Sequence, residues 1–137
     1  MLNRRQMIIS AAAATILPGA ARADFLRYTP GLVDEHLAAG ETVFVDFYAS
    51  WCSTCRAQER VVERLKAANS AYEEHMTFIR VDWDQYSNEA LARRLDIPRR
   101  STLVVLKGNM QLGRIVAGTS EADIKTLLDA GLSAATS

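Results

Sequence analysis

Val45-Asp46-Phe47-Tyr48-Ala49-Ser50-Trp51-Cys52-Ser53-Thr54-Cys55 is the stretch on which the reading of this chain turns. An apolar, β-branched and aromatic run that begins at Thr42 predicts a central strand buried on both faces. From Cys55 a helical pattern continues to about Asn69, with Val62 and Leu65 facing inward and Arg56, Glu59, Arg60, Glu63, Arg64 and Lys66 on the solvated side. The only two cysteines in 137 residues lie at this junction. At a helix start that spacing brings two sulfurs together and leaves one accessible, so a redox-active dithiol is the leading reading. A passive clip across so short a loop would remove little chain entropy, and a tetrahedral metal site would need two more ligands than the pair supplies.

Outward from this junction the elements alternate. Phe25 to Tyr28 reads as a short extended opening, and a helix from Pro30 to Ala39 ends at Gly40. Beyond the cysteine helix, Met76 to Asp82 reads as a second buried strand, and Ser87-Asn88-Glu89 begins a helix that ends near Leu95. Thr102 to Leu106 is a third strand, the turn Lys107-Gly108-Asn109 leads into a fourth over Gln111 to Val116, and a last helix runs from Ser120 to about Ala130. Alternation implies a parallel core, and the tight turn makes the final pair antiparallel. The fold class is therefore α/β, with a central mixed sheet of four to five strands flanked by helices.

Residues 1–23 read as a cleavable export signal and residues 24–137 as one domain. Arg4-Arg5 precede an uncharged apolar stretch from Met7 to Leu17, and Ala21-Arg22-Ala23 supplies the small-x-small pattern of a peptidase site. That stretch is shorter than the ~20 residues of a membrane span. The adjacent arginines resemble a twin-arginine signal, with Asn3 and Met7 departing from its usual residues. Cleavage after Ala23 removes three of the 16 basic residues and no acid, leaving 13 against 16. A mildly acidic domain argues against nucleic acid as a partner. It is also large enough to bury a core without a disulfide scaffold, so the cysteine pair reads as a working one in an oxidising periplasm.

With the cysteines, the acid, the tryptophan and the element order in place, nearly the whole domain resembles the thioredoxin family. Val81-Asp82-Trp83-Asp84, Thr102-Leu103-Val104-Val105-Leu106-Lys107-Gly108 and Gly118 ahead of the last helix fit the same pattern. The resemblance implies a thioredoxin fold and thiol–disulfide exchange with client proteins, with no cofactor beyond the Cys52–Cys55 disulfide itself. It makes Cys52 the nucleophile, its thiolate favoured by the helix N-terminus, and Cys55 the more buried resolving thiol. Asp46 corresponds to the buried acid beneath the cysteines, which takes the proton Cys55 loses; the alternative is a strand-end carboxylate facing water or capping a helix. Arg80 is a candidate basic neighbour of Asp46. Trp51 shields the sulfurs and joins the client surface with Ser101, Thr102 and Gly118.

Two departures from the family pattern bear on function. Where thioredoxins carry a cis-proline before the strand facing the active site, an ungapped alignment places Ser101, and a gapped one places Pro98. A trans Ser101 is expected, because a non-proline cis bond costs about 3 kcal/mol. Its hydroxyl would be free to hydrogen-bond the Cys52 thiolate, with Arg99 and Arg100 either adding positive charge or forming a solvated loop edge. Between the cysteines, Ser53 and Thr54 replace the dipeptides of reducing and oxidising relatives and are expected to tune the potential. The Tyr-Ala-Ser-Trp-Cys segment resembles reducing members, including the periplasmic thiol-reducing domain of the DsbD family. The expected protein is a periplasmic, monomeric reductase of client disulfides, itself recharged by a membrane electron donor. Two other classes stay open. One is a metal or iron–sulfur module using the cysteines with His36, His75 or a second copy, and the other is a client-binding module without catalysis.

Overall fold

The computed structural model describes residues 25–137. The export signal expected over residues 1–23 lies outside the described residues. Five strands form one mixed sheet in the order β1-β3-β2-β4-β5. They are β1 (Leu26–Arg27), β2 (Thr42–Tyr48), β3 (Met76–Asp82), β4 (Thr102–Lys107) and β5 (Met110–Val116). β3 runs parallel to β1 and β2, whereas β4 is antiparallel to β2 and to β5. The α/β arrangement and the fifth strand follow the sequence expectation.

β2 is central because its side chains are apolar on both faces. Val43, Val45 and Phe47 point to one side, where they pack with Ile79, Val81 and Val104 beneath α1 (Leu32–Ala38) and α5 (Ala90–Arg94). Phe44 points to the other side, among Phe78, Leu103 and Val105, under Val62 and Leu65 of α2 (Ser53–Ala68) and Ile124 and Leu128 of α6 (Glu121–Ala135). Each of these buried side chains contributes about 1.5–3 kcal/mol, so the sheet's middle fixes where its ends can go. The strand's alternation puts Asp46 on the Phe44 face, under α2.

Several boundaries differ from the sequence expectation. α1 starts at Leu32, because Gly31 takes a left-handed φ of 91° at its cap. α6 continues five residues beyond Ala130, since Gly131 lets that helix approach Met76 and Val105 closely. Two short helices, α3 (Ala71–His75) and α4 (Trp83–Tyr86), lack the length over which helical periodicity becomes visible. Lys66 is not on the solvated face. It is 3% exposed, its ammonium 4.6 Å from the Phe78 ring centroid and 4.8 Å from that of Phe25, with Glu73 at 3.4 Å and Glu63 at 3.6 Å. A long aliphatic stem with two carboxylates and two ring faces at its tip makes that burial tolerable.

Candidate active site

The carboxyl end of β2 leads straight into the redox centre. Cys52 is the N-cap of α2, with extended backbone, and its sulfur accepts the Cys55 N–H at 3.1 Å. That is the position a serine or threonine oxygen takes in an ordinary cap, so the sulfur sits where the helix's unpaired N–H groups converge. No acid lies in the first turn of α2 to offset this positive end. The two cysteines are joined as a disulfide with a Cα–Cα distance of 5.2 Å. Ser53, the first helical residue, is exposed, and Thr54 is half-buried.

Burial does not distinguish the two cysteines as whole residues. Cys52 and Cys55 are each 3% exposed, where the sequence reading expected Cys52 accessible and Cys55 more buried. Ser101 lies against both, its hydroxyl oxygen 3.2 Å from the Cys52 sulfur and 3.0 Å from that of Cys55. Ser101, and not Pro98, is thus the residue beside the disulfide. No cis peptide bond occurs among the described residues, in keeping with the trans Ser101 expected.

Ser101 reaches this place through an uncommon backbone conformation. Its φ of 66° is left-handed, which costs a non-glycine residue about 1–2 kcal/mol. Three hydrogen bonds hold it there. Its N–H donates to the Phe47 carbonyl at 2.7 Å, and its own carbonyl accepts the Ala117 N–H at 2.7 Å and the Gln58 side-chain amide at 3.0 Å. Gln58 also donates to the Gly118 carbonyl at 2.9 Å. Gly118 cannot readily carry a side chain, because a Cβ there would lie 3.0 Å from a methyl of Ile115.

Asp46 is 1% exposed, and its Oδ1 has no hydrogen-bond partner among the described residues. Burial pushes its carboxyl up to about 7, against the opposing pull of the Arg80 guanidinium and with a smaller push from Glu59. The strand register places Asp46 opposite Arg80. Arg80 in turn donates to Glu59 on α2 at 3.0 Å and stacks on the Tyr48 ring at 4.2 Å. The basic neighbour expected from sequence is therefore present, and it is shared with a second acid.

The rim is built by Trp51, 57% exposed. Its indole N–H donates to Asp84 at 2.8 Å, and the Arg100 guanidinium stacks 4.4 Å from its ring centroid. Arg99 comes within 3.5 Å of the Ser101 hydroxyl. Thr102, expected on the client surface, is fully buried. Its hydroxyl donates to the Arg99 carbonyl at 2.7 Å and steadies that loop. His36 pairs with Glu41 at 2.7 Å and His75 is exposed at the end of α3, so neither is brought to the sulfurs. Among the described residues no three His, Cys, Asp or Glu side chains converge as a metal site.

Gln58 is the site residue the sequence reading missed. It is fully buried among the solvated residues expected on α2. The available signal was its spacing, three residues after Cys55 and four before Val62, which puts it on the inward stripe.

Comparison with known proteins agrees with this geometry. The thioredoxin family profile matches residues 27–130. Thioredoxin-2, mitochondrial, of Schizosaccharomyces pombe is 31% identical over 97 residues, covering 71% of this chain and 65% of its own length; the chain therefore spans just under two thirds of that relative. Thioredoxin of Mycolicibacterium smegmatis is 30% identical over 63% of this chain and 74% of its own. Among solved structures, Trxlp from Edwardsiella tarda superposes with a TM-score of 0.66 at 25% identity, over 77% of this chain and 98% of that one. A disulfide capping the helix that follows the central strand, on a sheet of this order, places the chain in the thioredoxin family, as a thioredoxin-like thiol–disulfide oxidoreductase built on the Cys52–Cys55 pair.

Proposed function

We propose that this protein is exported to the periplasm and reduces disulfides of client proteins there, with Cys52 as nucleophile and Cys55 as resolving thiol. The observation that carries the assignment of roles is the Cys52 sulfur at the cap of α2, within 3.1 Å of the Cys55 N–H. Negative charge on that sulfur is stabilised by the helix N-terminus. In the reduced protein the Cys52 thiolate attacks one sulfur of a client disulfide, and the other client sulfur leaves as a thiolate. Cys55 then gives its proton to the Asp46 carboxylate, directly or through water, and attacks Cys52. The Cys52–Cys55 disulfide forms, and the client leaves with two electrons more.

Ser101 serves this cycle as a hydrogen-bond donor to the Cys52 thiolate, consistent with a hydroxyl 3.2 Å from that sulfur. Trp51, the Arg100 face above it and the backbone around Ser101 and Gly118 form the client platform. Ser53 and Thr54 set the potential. Reduction as the working direction rests on the Tyr48-Ala49-Ser50-Trp51-Cys52 segment, and export rests on residues 1–23. A periplasmic reductase needs electrons from outside its compartment, so a membrane dithiol donor completes the cycle.

The test is a Cys55→Ser variant expressed as the full chain. It should trap clients as mixed disulfides through Cys52, and the Cys52→Ser variant should trap none. Absence of trapped clients together with no turnover of a model disulfide would refute the assignment. A reduction potential near that of the strong oxidants, about −120 mV, would reverse the direction.

A further inference from the structure

Gln58 is fully buried on α2, one turn beyond Cys55, and nothing in the exchange chemistry uses it directly. Its Nε2 donates to two backbone carbonyls from two separate loops, that of Ser101 at 3.0 Å and that of Gly118 at 2.9 Å. Both partners only accept, so the amide's orientation is fixed by chemistry. Its Oε1 has no partner among the described residues. A buried carbonyl without a protein donor is unfavourable, and the two bonds made by the other end of the amide offset that cost.

We propose that Gln58 is a positioning residue that ties the cysteine helix to the Ser101 and Gly118 loops and so holds the Ser101 hydroxyl against the sulfurs. Ser101 occupies a left-handed conformation that its own preferences oppose. Its carbonyl is gripped from one side by Ala117 and from the other by Gln58. Ala117 is itself left-handed, with a φ of 65°, so the bond it supplies comes from an equally strained residue. Gln58 is the anchor that comes from a regular helix, the same helix that carries Cys55. An amide reaching up from the cysteine helix thus fixes this loop.

The inference rests on the reading of Ser101 as donor to the Cys52 thiolate, and the experiment separates the two. In the reduced full-length protein, the pH dependence of Cys52 alkylation by iodoacetamide is measured for the parent, Gln58→Leu, Ser101→Ala and the double variant. A hydrogen bond to a thiolate is strong enough that its loss raises the midpoint by about one pH unit. Gln58→Leu should raise the midpoint by most of what Ser101→Ala does, and the double variant should add little further. If Ser101→Ala leaves the midpoint unchanged, the reading of Ser101 fails and Gln58 falls with it. If Ser101→Ala shifts it while Gln58→Leu does not, or if the two shifts add in full, the inference about Gln58 alone is overturned. Gln58→Met, closer in shape, takes the place of Gln58→Leu should that variant not fold, with the same outcomes deciding.

Discussion

Replacing Asp46 with asparagine should raise stability relative to the parent progressively between about pH 4 and 7, while slowing the catalytic cycle. In the folded chain burial raises the carboxyl from 3.8 to about 7. In the unfolded chain it ionises near its ordinary value of about 3.9. As pH rises from about 4 to 7 the unfolded state releases this proton and the folded state retains it, so the parent loses stability across that window. Above about 7 both states are ionised and the loss is complete. Three pH units correspond to about 4 kcal/mol, accumulating at about 1.4 kcal/mol per unit. Asp46 is fully buried, so solvent does not screen this figure. The amide of the Asp46→Asn variant has no charge to titrate. The stability gap between variant and parent should therefore widen with pH between 4 and 7, then stay constant. Urea unfolding of the oxidised full chain at half-unit steps from pH 4 to 9 measures it. A fixed penalty for burying the amide moves the whole curve and not its slope. Resolution should meanwhile slow by roughly a hundredfold, the lower end of what a positioned base contributes, with mixed disulfide accumulating. A gap that stays flat from pH 4 to 8 would refute the reasoning, because Asp46 would then titrate alike in both states.

Two further expectations concern the left-handed residues. Ala117→Gly should stabilise the fold by about 1 kcal/mol, since glycine adopts a φ of 65° without the penalty alanine carries; a lower urea midpoint for this variant would contradict the strain assigned there. Ser101→Pro should cost at least about 2 kcal/mol, because proline fixes φ near −65° and removes the N–H that donates to Phe47. A proline variant as stable as the parent by thermal melting would show that the loop is not locked.

Much of this architecture was legible because it follows from unbroken patterns. The run Thr42 to Tyr48 is apolar on both faces and therefore had to lie mid-sheet. Asp46 lies inside that apolar run, which favoured a buried carboxylate over one facing water or capping a helix. Burial of Lys66 and Gln58 was less visible, because a lysine or glutamine on a charged helix ordinarily faces solvent, and only tertiary partners from α3, β3 and the loops decide otherwise. The contact of both sulfurs with Ser101 comes from 46 residues after Cys55 in the chain, and no local pattern carries a contact at that separation. Thr102 was misplaced for a related reason. A polar residue at a strand start reads as surface until the loop before it turns a carbonyl inward.

The Cys52 cap on α2 has a thermodynamic consequence. A helix terminus closed by a sulfur makes the redox couple and the folding equilibrium two edges of one closed cycle. Whatever free energy separates the stability of the reduced fold from that of the oxidised fold must reappear as the difference between the potential of the native protein and that of its unfolded dithiol. About 1.4 kcal/mol on one edge is about 30 mV on the other. Melting curves of the two redox forms therefore measure how far the fold has moved its own potential, and no client or electron donor is needed to obtain that number.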